Sequence, residues 1–87
     1  MKLCVQNTRD ESIVGVFSDP TKMKHWIDNR AKEQCQSHPE NKVFKQSYDR
    51  LKMFLEKPNW FGNPQNLNVY LGVFKLPYHV SSYGGVF

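Results

Sequence analysis

The chain predicts an α+β domain, a mainly antiparallel sheet of three or four strands with two helices on one face. Three observations predict it. The N-terminal segments alternate or cluster β-branched residues as strands do, and a second strand pattern stands near the C-terminus. The middle, from Pro20 to Lys57, carries apolar residues at helical spacing. Strands at both ends with helices between them favour one antiparallel sheet packed from one side.

The elements follow in order. Leu3 and Val5 alternate with Cys4 and Gln6, which predicts a first strand. Asn7 to Ser12 is a polar turn, and Ile13-Val14-Gly15-Val16-Phe17 is a second strand completing a hairpin. Gly15 marks a bulge or a close backbone approach. Ser18 or Asp19 caps a helix whose first position suits Pro20. Met23, Trp26, Ile27, Arg30 and Gln34 carry that helix to about Cys35. Ser37 and Glu40 have the spacing of a capping box, so a second helix is expected from there to about Lys57. Its inward stripe is Phe44, Ser47, Tyr48, Leu51, Phe54 and Leu55. Lys45 with Asp49, and Lys52 with Glu56, are four-residue pairs on the other side.

Leu67 to Leu76 is predicted as the strongest strand, with Leu67, Val69, Leu71 and Val73 on one side and Tyr70 and Phe74 on the other. Tyr78 to Tyr83 is a possible fourth strand at an edge, and residues 84–87 are expected to be a flexible tail. The order is thus β-β-α-α-β with a possible last β, in one domain over 1–87.

At 87 residues and a formal charge of +4, the chain is small and mildly basic. Its cations are interspersed with acids, which describes a solvated surface attractive to acidic partners. No apolar run reaches the roughly 20 residues that cross a bilayer, so no membrane partner and a cytoplasmic location are expected. Two cysteines, Cys4 and Cys35, are expected as free thiols, Cys35 being the more reactive.

Catalytic signatures are missing. The glycines form no phosphate loop, and no serine stands in a nucleophile elbow. Cys35 and His38 have a two-residue gap that zinc ligands use, but Cys4, His25 and His79 are scattered, so no second ligand pair completes a site. Neither metal nor cofactor is expected, and the chain is read as a non-enzyme.

The distinctive stretch is Pro58-Asn59-Trp60-Phe61-Gly62-Asn63-Pro64. Two prolines stiffen a loop that carries two aromatic rings, and a rigid exposed indole makes a good binding anchor. The expected partner-binding residues are Trp60, Phe61, Asn63, Arg30, Tyr78 and Tyr83. The partner is another protein with an acidic surface, and the chain is a monomer or a homodimer, the dimer forming through Tyr70 and Phe74. The alternative is nucleic-acid binding through Lys45, Lys52, Lys57 and Trp60, by charge and base stacking. Size, layout and the lack of a catalytic signature are similar in a general way to accessory proteins encoded by phages. That likeness covers no aligned motif and carries no residue over. It implies an inhibitor of a host or defence enzyme, working in the host cytoplasm.

Overall fold

The structure, a computed structural model, describes residues 1–83. The elements are β1 (Lys2–Asn7), β2 (Ile13–Phe17), α1 (Pro20–Ser37), α2 (Lys42–Leu55), a single 3-10 turn (Trp60–Gly62), α3 (Pro64–Val73) and β3 (Tyr78–Tyr83). This is an α+β fold with one antiparallel three-stranded sheet, order β2-β1-β3, and three helices. The predicted tail, 84–87, lies outside the described residues.

The expected hairpin is present. Leu3 pairs with Phe17, Cys4 with Val16 and Val5 with Gly15; the register then slips, and Gln6 pairs with Ile13. Val14 is the extra residue of a bulge, next to the glycine that signalled one. A Cβ on Gly15 would meet the Phe17 ring at 3.4 Å, an ordinary contact distance, so the ring packs along the strand beside this position. The turn is held by side chains. Asn7 Oδ1 accepts from the N–H of Arg9, and Asp10 Oδ1 accepts from the N–H and hydroxyl of Ser12.

α1 starts as the sequence indicates, with Asp19 accepting from the Thr21 N–H and Pro20 at the first helical position. It runs two residues beyond Cys35. The capping box at Ser37 and Glu40 does not form. Asn41 is the cap instead, its side chain accepting from the Phe44 N–H at 3.1 Å, and α2 begins at Lys42. Ser37 is still engaged as the last residue of α1, which removes it from the role of starting α2.

The largest correction concerns Leu67 to Leu76. This is not a strand: α3 occupies Pro64–Val73. Leu67, Leu71 and Phe74 recur at helical spacing, whereas alternation would put Phe74 on the side opposite the other two, and all three are buried. Val69, which a two-sided central strand would cover, is 64% exposed. Pro64 suits the helix's first position. The end of α3 is a Schellman turn made without glycine. Lys75 takes φ 57°, its N–H donates to the Gly72 carbonyl, and the Leu76 N–H reaches back to the Leu71 carbonyl at 2.9 Å. Three strands and three helices therefore replace the expected three or four strands and two helices, and the possible last strand, Tyr78–Tyr83, is present at one edge of the sheet.

One side of the sheet meets the core. Leu3, Val5 and Val80 are fully buried with Met23 and Ile27 of α1, Phe44 and Leu51 of α2, and Leu67, Leu71 and Phe74. α2 and α3 run antiparallel, since Phe44 stacks near Phe74 and Phe54 near Tyr70. Gln34 of α1 donates to the Phe74 carbonyl at 2.7 Å, tying α1 to the end of α3. The other side of the sheet shows Val16, Ser81, Ile13 and His79 exposed, with Cys4 and Gln6 half-buried between them.

Candidate functional site

Trp60 is not an exposed anchor. It is 6% exposed, belongs to the main core, and meets Phe61 edge-on with ring centroids 5.5 Å apart. The two prolines do frame a tight connection, but its 3-10 turn drives the indole inward, where a large apolar surface is worth most. Phe61 is half-buried beside it. Asn63 is exposed, yet its side-chain amide donates to the Asn59 carbonyl at 3.0 Å and so braces the turn.

The remaining predicted contacts do not converge on that loop. Arg30 lies beside the Trp26 ring, its guanidinium carbon 5.9 Å from the centroid, and pairs with Glu33 at 3.5 Å. Its Nε is sealed from water without a hydrogen-bond partner. Tyr78 packs edge-on against Trp26 at 5.0 Å. Tyr83 is exposed at the end of β3, opposite Lys2. The dimer face expected from Tyr70 and Phe74 is absent as drawn, because Phe74 is buried and Tyr70 rests on Phe54.

The lysines of the nucleic-acid alternative are divided between two sides of α2. Lys52 lines a cleft of about 340 Å³ against α1, together with Lys24, Asp28 and Glu56, and its ammonium lies 5.5 Å from the Tyr48 ring centroid. Lys45 is near enough to Cys35 to act on its thiol. Lys57 lies on the opposite side of α2, against α3. With Trp60 buried, these four residues make no continuous track of charge and stacking surface.

The α1–α2 cleft carries both signs of charge. Lys24 and Glu56 pair across it at 3.0 Å, and both are substantially exposed, so the pair contributes little to stability. Behind it, the Tyr48 hydroxyl donates to Asp28 at 2.7 Å. Burial first, then the bond to this carboxylate, push the Tyr48 phenol up to about 12. The unfolded chain ionises near the ordinary value of about 10, so between these values the folded form holds a proton that the unfolded form has lost. The stabilisation is complete below pH 10 and is lost as pH rises toward 12. An ultraviolet titration should show a late tyrosine ionisation that disappears in Tyr48→Phe. If that variant leaves the titration curve unchanged, the Tyr48–Asp28 link is not as described.

Both cysteines are free. Cys35, expected as the more reactive, has its thiol pushed up by burial, and its Sγ–H donates to the Phe44 carbonyl at 3.6 Å. That setting opposes thiolate formation and makes Cys35 a packing residue. Among the described residues, no three His, Cys, Asp or Glu side chains gather as metal ligands. No helix there is long and apolar enough to cross a membrane.

Among the described residues, two surfaces stand out where large apolar side chains are exposed near one another. One is the open side of the sheet at β2, where Ile13 is 59% exposed, Val14 42% and Val16 45%. The other is a groove of about 400 Å³ between α2 and α3, next to Met53 (70% exposed) and Val69. Sequence patterns missed both. The β-branched residues of β2 looked like ordinary strand content, and Val69 was hidden by its placement in a strand. No family model, curated protein or solved structure matches the chain.

Proposed function

We propose that the protein is a non-catalytic protein-binding module whose main contact is the open side of the sheet at β2. One observation carries this reading: the two edges of the sheet are treated differently. On β3, the Asn68 side chain of α3 accepts from the Val80 N–H at 2.7 Å and donates to the Val80 carbonyl at 2.8 Å, as a neighbouring strand would. Among the described residues no side chain covers β2 in this way, and the strand has neither a charge nor a proline to discourage a partner. The bulge at Val14 limits regular edge pairing to the stretch beyond it, so side chains do most of the proposed work. Ile13 and Val16 stand in rows with Gln6 and Cys4 and make an apolar strip on an otherwise polar face. Clustered exposure of this kind marks interaction surfaces.

An inhibitor, an adaptor and a subunit all work by such occupancy. For the inhibitor form, the general likeness to phage-encoded accessory proteins is the sole support. A basic surface favours a partner with an acidic one.

Affinity capture from the native cell, with nuclease treatment, tests the reading. One protein should survive nuclease on the unaltered chain and be lost on the double variant Ile13→Lys, Val16→Lys, whose circular dichroism stays unchanged because both sites are exposed. Equal recovery on the variant would remove β2 from the contact. Loss of all bound material to nuclease would favour nucleic-acid binding instead.

A further inference from the structure

The groove between α2 and α3 is built differently from the sheet surface and is argued independently of it. Its walls are facing stripes of two antiparallel helices. Arg50, Phe54 and Lys57 come from α2 and the turn after it, and Val69, Tyr70 and Val73 come from α3. The floor is Phe54 against Tyr70, with ring centroids 5.5 Å apart. Met53 extends it, through a smaller hollow of about 200 Å³ that shares Arg50, Lys57 and Tyr70.

The charges along α2 are sorted. Its flanking acids face away from the groove: Glu56 pairs with Lys24 of α1, and Asp49 acts on the Cys35 thiol of α1. Arg50 and Lys57 line the groove, where no carboxylate does, and neither has an acidic partner within 4 Å among the described residues. The result is a trough with an aromatic and aliphatic floor, polar side chains (Ser47 and Asn66) in its lining, and two unneutralised cations on one rim. They are seven residues apart in sequence, Arg50 on α2 and Lys57 two residues past its end.

We propose that this groove holds an amphipathic helix of a partner protein, with two carboxylates seven residues apart meeting Arg50 and Lys57 and apolar side chains between them on Phe54, Tyr70 and Val69. Charge complementarity selects acidic side chains. Backbone chemistry selects a helix. α2 and α3 spend their own peptide groups internally, so an extended chain lying on the trough would find no backbone ladder to pair with and would leave N–H and C=O groups unpaired over Phe54, Tyr70 and Val69, whereas a helix satisfies its own. A phosphate backbone fits poorly, because it needs a continued series of cations and little apolar floor.

The probe is a labelled helical peptide of about sixteen residues with Glu at two positions seven apart and Leu three and four residues after the first. A matched peptide has Gln at both Glu positions, and another has Lys. Fluorescence anisotropy against the full chain at low salt should show the Glu peptide binding at least about tenfold tighter than the Gln peptide. The double variant Arg50→Glu, Lys57→Glu should reverse the preference in favour of the Lys peptide. Val69→Asp, at an exposed site, should weaken all three. Equal affinity for the Glu and Gln peptides, no binding at about millimolar peptide, or an unchanged preference in the charge-reversed variant would overturn the proposal. So would displacement of the peptide by a DNA oligonucleotide, which would give the groove to a phosphate backbone. None of these results depends on β2, so Ile13→Lys, Val16→Lys should bind the Glu peptide as the unaltered chain does.

Discussion

Replacing Trp60 with alanine is expected to destabilise the protein by about 3–5 kcal/mol, the range for removing a large aromatic from a packed core. The indole is 6% exposed and lies among the core side chains, with Phe61 edge-on against it. Its removal leaves a void at the junction between α2 and α3, where the chain turns through a single 3-10 turn. A domain of this size has roughly 5–15 kcal/mol in total, so the variant should be partly unfolded or melt at a much lower denaturant concentration. Urea unfolding followed by circular dichroism measures the change, and Trp60→Phe should recover part of it. A surface anchor would behave in the opposite way: stability would hold and only partner affinity would fall. A Trp60→Ala protein that unfolds at the same urea concentration as its parent would show that the indole is not part of the core.

The same residue shows why some of the fold is legible in sequence and some is not. The start of α1 is written locally: a strand ends, Asp19 caps, and Pro20 occupies the first turn. The hairpin is equally local, with alternation on β1, a polar turn and β-branched residues on β2. Where two local solutions compete, the rest of the molecule decides. Ser37 and Asn41 both offer a cap, and α1 continues through the first, leaving the second. In Leu67 to Leu76, apolar residues at almost every position satisfy both periods. The helix wins because Leu67, Leu71 and Phe74 then fall on one stripe against the sheet and α2, while Gly72 and Val69 face outward. Trp60 obeys the same logic. Proline and glycine identify a turn, but whether its ring points in or out depends on whether a core needs filling beside it.

The candidate surfaces were harder to read for a related reason. An exposed Val69 or Met53 is conspicuous only once its helix and the neighbouring stripe are known. Arg50 and Lys57 looked like two cations among twelve. Their significance lies in which acids turn away from them, and that follows from α1 packing along the other side of α2.

Asn68→Ala is expected to cost about 2–6 kcal/mol, from two backbone groups each losing a partner at roughly 1–3 kcal/mol. Val80 pairs with Val5 in the ladder, and its N–H and carbonyl both point to the outer edge of β3, where the Asn68 amide meets them at 2.7 and 2.8 Å. Val80 itself is 1% exposed, so water does not easily replace the lost amide. Two results should appear together. The Val80 amide, now without an acceptor, should exchange its hydrogen much faster than its neighbours in the ladder. The uncovered edge of β3 should also become available to other chains, so light scattering should show concentration-dependent association that the parent lacks at this edge. If Val80 exchange is unaffected by Asn68→Ala, Asn68 does not close the edge, and the asymmetry that selects β2 as the contact surface disappears with it. The variant thus tests a packing detail and, through it, the reason one side of the sheet is left open.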